Sequence, residues 1–295
     1  MRESAADKIF NAINLTFVVL LLIMICYPLV YVLSASISDP NAVNAGRMWL
    51  WPVGVSLEGY ERVFRDDEIW SGYLNTFIYT VLGTAVNLTV TVPCAYALSK
   101  KNLPGVKIIM LLILFTMFFH GGIIPSYLVV KQLGMINTIW ALVIPQAAAV
   151  WNIIVTMTFF RNSVPQELEE AAAIDGSTVF RTFFSIVLPL SAPILAVMGL
   201  FYGVGHWNQY FQALLYLSDE DLYPLQLVLR KILVMNQTSS LFMDTKDPLA
   251  MAEQARIAET IKYAVMIVSS LPLLIVYPFL QRYFVKGVLI GSLKS

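Results

Sequence analysis

Arg161-Asn162-Ser163-Val164-Pro165-Gln166-Glu167-Leu168-Glu169-Glu170-Ala171-Ala172-Ala173-Ile174-Asp175-Gly176 is a polar, acid-rich stretch between two long apolar runs. Its residue order predicts a short helix. Ser163 can cap the first turn, with Gln166 three residues later closing a capping box. Pro165 suits the first turn, where its missing N–H would have no intrahelical partner. Glu167, Glu169 and Glu170 stand where the helix dipole favours negative charge. Gly176 tolerates positive φ and ends the helix. Ser177 or Thr178 can then start a second helix through Phe180, Phe183, Phe184 and Ile186 to Pro189. Two small alanines beside a glutamate, followed by a tight turn, make a compact knob suited to another protein's cleft. An ordinary capped loop helix fits the same residues.

The runs on either side, Ile139 to Phe160 and Leu188 to Tyr210, are each long and apolar. A helix that spans a bilayer needs about 20 mostly apolar residues. Leu15 to Ser36, Thr76 to Leu98 and Tyr263 to Leu280 meet the same requirement. A sixth run, Ile108 to Val130, is interrupted at His120-Gly121-Gly122 and Pro125. It predicts one bent span, or a span followed by a half-buried segment. Ser34-Ala35-Ser36 resembles a signal cleavage site, but the apolar stretch before it is longer than a signal core, so it is kept as the first span.

Composition points the same way. Of 295 residues 58% are hydrophobic and 13% charged, where soluble domains carry about 25% charged residues. With 19 basic and 19 acidic residues the net charge is zero, so no basic field exists to hold nucleic acid. Cys26 and Cys94 both lie in apolar runs, which excludes a disulfide scaffold or a Cys-rich zinc site. The expected fold class is an all-α membrane protein of six transmembrane helices, a single transmembrane domain over 1–295 with the lipid bilayer as solvent. An even number of spans places both termini on one side. Lys100, Lys101 and Lys107 in one short loop put that side in the cytoplasm. The insert 161–189 is then cytoplasmic, and the stretches 37–74 and 218–262 are external loops with short surface helices.

At this point the sequence resembles a family. Glu170-Ala171-Ala172, then Gly176, then Ile186 and Leu188-Pro189 match in spacing the EAA motif of binding-protein-dependent ABC importers. Asp175, Pro193, Trp207-Asn208, Ala213-Leu214 and the ending Gln281 to Val288 with Gly291-Ser292 are similar to the carbohydrate branch, the smaller permease subunits of maltose-type and multiple-sugar-type importers. The resemblance implies a type I ABC importer permease fold in the cytoplasmic (inner) membrane of a prokaryote. It implies a second permease subunit, usually a different chain, two cytoplasmic ATPase subunits and an extracellular or periplasmic sugar-binding protein. The docking block on this chain would be Glu167, Glu170, Ala171, Ala172, Asp175, Gly176 and Ser177.

The chain itself has no Gly-x-x-x-x-Gly-Lys-Ser/Thr loop, no His-Glu-x-x-His and only two histidines. No enzyme activity, metal or cofactor is expected in it, and ATP and Mg belong to the partner ATPase. Sugar recognition combines aromatic faces with amide hydrogen bonds. Trp207, Asn208, Tyr210 and Gln212 are the candidates for the substrate path, with Tyr202 and His206 nearby. Trp207 and Tyr210 fit rather better as anchors at the lipid interface or as packing, where such rings are common. Asn87, Gln146 and Asn152 read as bonds between helices, and His120 as the mark of a bend or of a constriction in the pathway. Asn236, Gln237, Thr238, Ser239 and Ser240 sit in a polar stretch before the last span, where maltose-type relatives reach into the binding protein. A permease for another solute on the same scaffold is the alternative. A secondary transporter would need an ion-coupling acid within a span, and the six cores hold none.

Overall fold

The computed structural model describes residues 4–100, 102–242, 256 and 261–278. Among these the regular structure is helical, with no strand. Three helices are long and apolar enough to cross a membrane unaided: Asp7–Ser36, Asp67–Ser99 and Ile261–Pro278. Three further pairs meet the same test only when each is taken as one bent span, which brings the total to six.

The first pair, Val106–Phe118 and Ile123–Gln132, turns through 112°. The break falls where the interrupting residues predict it. Gly122 has φ +86°, and Pro125 follows within the first turn of the second helix. Two spans that read as continuous are also broken. Trp140–Gln146 meets Val150–Ser163 at 51°, and Val179–Leu190 meets Ala192–Trp207 at 79°. Proline is the common cause. Pro145 lies in a tight turn that ends the first segment, and Pro189 and Pro193 flank the bend at Ser191. Each proline removes an N–H and its ring obstructs the preceding turn. Ser191 Oγ donates to the carbonyl of Val187 at 2.7 Å, which takes up an acceptor at the bend.

The chain divides into two compact units. One comprises 1–69 and 229–271. In it the helix Ala5–Ser36 starts on a capping box, with Asp7 N–H donating to Ser4 Oγ at 3.2 Å and Ser4 N–H to Asp7 Oδ2 at 3.0 Å. Its apolar side chains remain exposed nearly all round, as expected where lipid or another subunit is the solvent. Ala35, Val43 and Met48 form the small core, against Tyr31 and Tyr263. Glu58 bonds both Arg62 and Arg256.

The other unit comprises 70–228 and 272–295. The long helix Asp67–Ser99 contributes to both ends of its packing. Near one end Asn75 donates to the carbonyls of Asp221 and Tyr223, Tyr79 to that of Leu222, and Leu225 N–H to Thr76 Oγ1. Near the other, Val92, Ala95, Tyr96 and Leu98 pack with Ile153, Met157, Phe160, Phe183 and Val187. The second cluster carries the insert. The ending from Gln281 onward lies outside the described residues.

Candidate functional site

The insert folds as a short helix, Gln166–Ile174, a turn, and a second helix starting at Val179. Its first cap differs from the expected box. Ser163 is the last residue of the preceding helix, and Pro165 holds the N-cap position without a side-chain bond. The reason is local: proline forces Val164 into extended backbone, φ −103° and ψ 109°, so the helix cannot begin before it. Gln166 instead donates to Glu170 one turn on, at 2.8 Å. The end of the helix is as read. Gly176 has φ +75°, Ser177 N–H donates to the Ala172 carbonyl at 2.9 Å and Gly176 N–H to that of Ala173 at 3.0 Å. This pair of bonds is a Schellman closure. Thr178, rather than Ser177, starts the second helix, its hydroxyl accepting from Arg181 N–H at 3.3 Å.

Two surfaces result. Ala172 is buried, and Phe183 and Val187 are sunk in the core below. Tyr96 lies between the rings of Phe160 and Phe183, 5.7 and 4.9 Å away. Lys100 pairs with Glu169, and Arg161 donates to the Leu98 carbonyl at 2.9 Å. The insert is thus fastened to the base of Asp67–Ser99 and Val150–Ser163. The other surface is open. Glu167, Glu170, Ala171, Asp175 and Gly176 are exposed and Ser177 is half-buried. Beside them stand Ile174, 87% exposed, Val179 and Phe180. These three were not among the expected docking residues. Their signal was present, because large apolar residues flanking a glycine turn in a polar insert have no core of their own to enter.

The second feature is a cavity of about 590 Å³ in the same unit. Its wall includes His120, Gln146, Trp151, Asn152, Tyr202 and His206. His206 bonds Asn87 at 2.7 Å and Gln209 at 3.2 Å, and Gln209 donates onward to the Leu142 carbonyl at 3.1 Å. Tyr202 shares a 2.6 Å bond with Thr91. Asn87 therefore does join helices, as its place in an apolar run implies.

Trp207, Asn208, Tyr210 and Gln212 do not line this cavity. The helix ends at Trp207, so Asn208 and Gln212 do not share a continuous helical face. Asn208 turns its amide back to the Val204 carbonyl at 2.9 Å. Trp207 is buried, its ring 6.2 Å from that of Tyr73. Gln209, which the sequence reading passed over, is the buried amide at this bend. An amide three residues beyond His206 in an apolar run was the available clue. Asn236, Gln237, Thr238, Ser239 and Ser240 belong to the helix Leu225–Phe242 rather than to an open loop.

Residues 69–290 match the family model described as binding-protein-dependent transport system inner membrane component. The chain belongs to that family. This permease is 38% identical over 295 residues to Protein LplC of Bacillus subtilis (strain 168), covering 100% of this chain and 98% of the relative. It is also 38% identical to the polygalacturonan/rhamnogalacturonan transport system permease protein YtcP of the same organism, covering 98% and 99%. In three dimensions it resembles a chain from the crystal structure of a bacterial ABC transporter involved in the import of the acidic polysaccharide alginate. The TM-score is 0.85 at 34% identity, over 96% of this permease and 99% of that chain. The all-α, bent-span architecture is that of an ABC importer permease.

Proposed function

We propose that this permease passes oligosaccharides from an external sugar-binding protein into the cytoplasm, paired with a second permease and driven by two ATPase subunits that bind ATP and Mg. The observation that carries the reading is the insert, open at its tip and locked at its base. A rigid knob joined to two bent spans is a lever: pulling it moves the spans as bodies. Glu167 and Glu170 supply charge-assisted contacts to the ATPase, Ala171 lets its backbone approach, and Ile174, Val179 and Phe180 fill an apolar cleft.

The relatives support the substrate class, since one is named for polygalacturonan and rhamnogalacturonan and the matched assembly for alginate. The cavity suits a sugar. Trp151 offers a ring face, and Gln146 and Asn152 offer amides for a polar rim. In this reading both termini and the insert are cytoplasmic, in the inner membrane, and Asn236 to Ser240 lie on the external side toward the binding protein.

The test is purification of the tagged full-length chain from its native membrane. Co-purification of an ATPase and a second permease is expected, together with ATP-dependent oligosaccharide uptake after reconstitution. ATP hydrolysis by the chain alone, or uptake without an ATPase, overturns the reading.

A further inference from the structure

Beyond the first span, the stretch Met48-Trp49-Leu50-Trp51-Pro52-Val53-Gly54-Val55-Ser56-Leu57 carries no ionisable residue, and Arg47 and Glu58 bound it. Its side chains alternate. Trp49, Trp51, Val53, Val55 and Leu57 are exposed, the two indoles to 71% and 81%. Met48 is buried, and Leu50, Pro52 and Ser56 are half-buried. Side chains that point in turn toward and away from a support give this period of two. Gly54 takes a turn in the strap at φ +65°, where a Cβ would stand 3.1 Å from that of Asp39.

The support is the end of the helix Ala5–Ser36. Ser34 Oγ donates to the Leu50 carbonyl at 2.6 Å. Val53 N–H donates to Ser38 Oγ at 3.2 Å, and its carbonyl accepts from Asp39 N–H at 3.0 Å. Ser56 N–H donates to the Ile37 carbonyl at 3.0 Å. Met48 enters the small core beside Ala35 and Val43. The strap therefore moves with the last turn of the span, and its outward row has no core of its own to enter.

The same bonds fix its depth. Between Leu15 and Leu33 the helix has no charged or amide side chain, whereas Asn11 and Asn14 precede that stretch and Ser34 follows it. At about 1.5 Å per residue the stretch covers about 28 Å, close to the hydrocarbon thickness of about 30 Å. Ser34 then lies at the edge of the hydrocarbon. The Leu50 carbonyl bonded to it, with Trp49 and Trp51 on either side, lies at the same level. The helix has 32 residues, about 48 Å. Length alone thus leaves it free to slide or tilt, and interfacial anchors are what set such freedom.

We propose that the strap 48–57 lies in the headgroup layer of the bilayer, where Trp49 and Trp51 hold the Ser36 end of the first span at a fixed depth. An indole suits this layer because its body is apolar and its N–H bonds to headgroups. Val53, Val55 and Leu57 extend the apolar row beside it. A contiguous exposed apolar patch marks a membrane or protein contact. A protein partner would meet hydrogen-bonding groups around an apolar centre, and the outward side chains offer none beyond the two indole N–H groups. The lipid-facing surface of the span continues into the row, since Leu29 and Leu33 are exposed as well.

The test uses the full-length chain, labelled with 5-fluorotryptophan, in phosphatidylcholine nanodiscs. Trp49→Phe and Trp51→Phe assign two of the six 19F signals. Both are expected to be broadened beyond detection by lipids with a nitroxide on the headgroup, and only slightly by lipids with one at the acyl-chain end. Survival under the headgroup nitroxide, or stronger broadening from the chain end, overturns the proposal. The assembly purified with its partner subunits is measured alike. A headgroup effect that disappears there assigns the strap to a protein partner and overturns the proposal too. Anchoring is read from a nitroxide on Cys26, which is exposed on the span, in a Cys94→Ser background. Replacing both tryptophans by serine is expected to lower oxygen accessibility at Cys26, because the label leaves the bilayer centre. Unchanged accessibility overturns the anchoring. The oligosaccharide reading is independent of all these results and falls separately, if no ATPase accompanies the chain.

Discussion

The ammonium of Lys100 is bonded to the carboxylate of Glu169 and lies 4.0 Å from the centre of the Tyr96 ring. One cation thus ties the acidic insert helix to the end of the long helix Asp67–Ser99, through an ion pair and a ring face at once. Tyr96 is itself buried between Phe160 and Phe183. Movement of the Gln166–Ile174 helix is therefore transmitted into the base of the spans rather than absorbed by a loose loop.

If that tie carries force, weakening it uncouples the ATPase from transport. Lys100→Met should lower substrate-stimulated uptake per ATP hydrolysed by about fivefold, the equivalent of about 1 kcal/mol for a partly exposed pair. Glu169→Gln should have the same effect, and the double variant should be no worse than either single one. Additive losses would show that the two residues act apart.

Gly176 separates strain from contact. A Cβ there meets nothing within 4 Å, yet φ is +75°. Gly176→Ala should destabilise the turn by about 1–2 kcal/mol through the left-handed backbone alone. Gly176→Asn should restore most of the uptake, since asparagine tolerates this conformation. Gly176→Pro forbids positive φ and removes the N–H that closes on Ala173, and uptake should fall to background with normal insertion. Wild-type uptake in the proline variant would remove the turn from the mechanism.

The tip should be separable from the base. Ile174→Asp and Phe180→Asp place charge on side chains that touch no core. Yield and thermal stability of the purified chain should stay near wild type, while ATPase co-purification is lost. Retention of the ATPase in both variants would locate docking elsewhere.

Gly83 offers a steric test of the cavity wall. Its added Cβ would collide with His206 at Nε2, Cε1 and Cδ2. Gly83→Ala should displace the ring, break its bond to Asn87 and change the 15N spectrum of His206. An unchanged spectrum would mean that the ring is not seated against this glycine.

Outside the spans, Arg256 and then Arg62, both bonded to Glu58, hold its carboxyl below the ordinary glutamate value of 4.5. Because the folded value is depressed, this stabilisation is fully present above the unfolded value and is lost as pH falls through the folded one. Thermal stability should therefore decline below about pH 5 by more in wild type than in Glu58→Gln. Parallel pH profiles would show that the ion pairs contribute nothing to stability.

The spans were legible because an apolar run of sufficient length has one stable state in lipid. The bend at His120 to Pro125 was legible from its glycines and proline. The bends at Ala147 to Ala149 and at Ser191 were not, because prolines are tolerated within membrane helices and composition alone does not say which ones kink. Ala5–Ser36 contains Pro28 and Asp67–Ser99 contains Pro93, and both remain single helices. The same limit explains the span-five residues. A four-residue spacing puts Asn208 and Gln212 together only if the helix continues, and it stops at Trp207.

By itself the sequence determined that this chain lives in lipid, crosses it several times and carries the spaced insert ending at Gly176, since length, hydropathy and a glycine that can take positive φ are local properties. The tertiary structure alone decided which polar side chains meet. Asn87 and His206 come from helices 119 residues apart in the chain, and Gln209 joins them from just beyond the second. Lys100 and Glu169 are 69 apart. Such pairings depend on how the helices pack and where they bend, and no pattern along the chain encodes that distance.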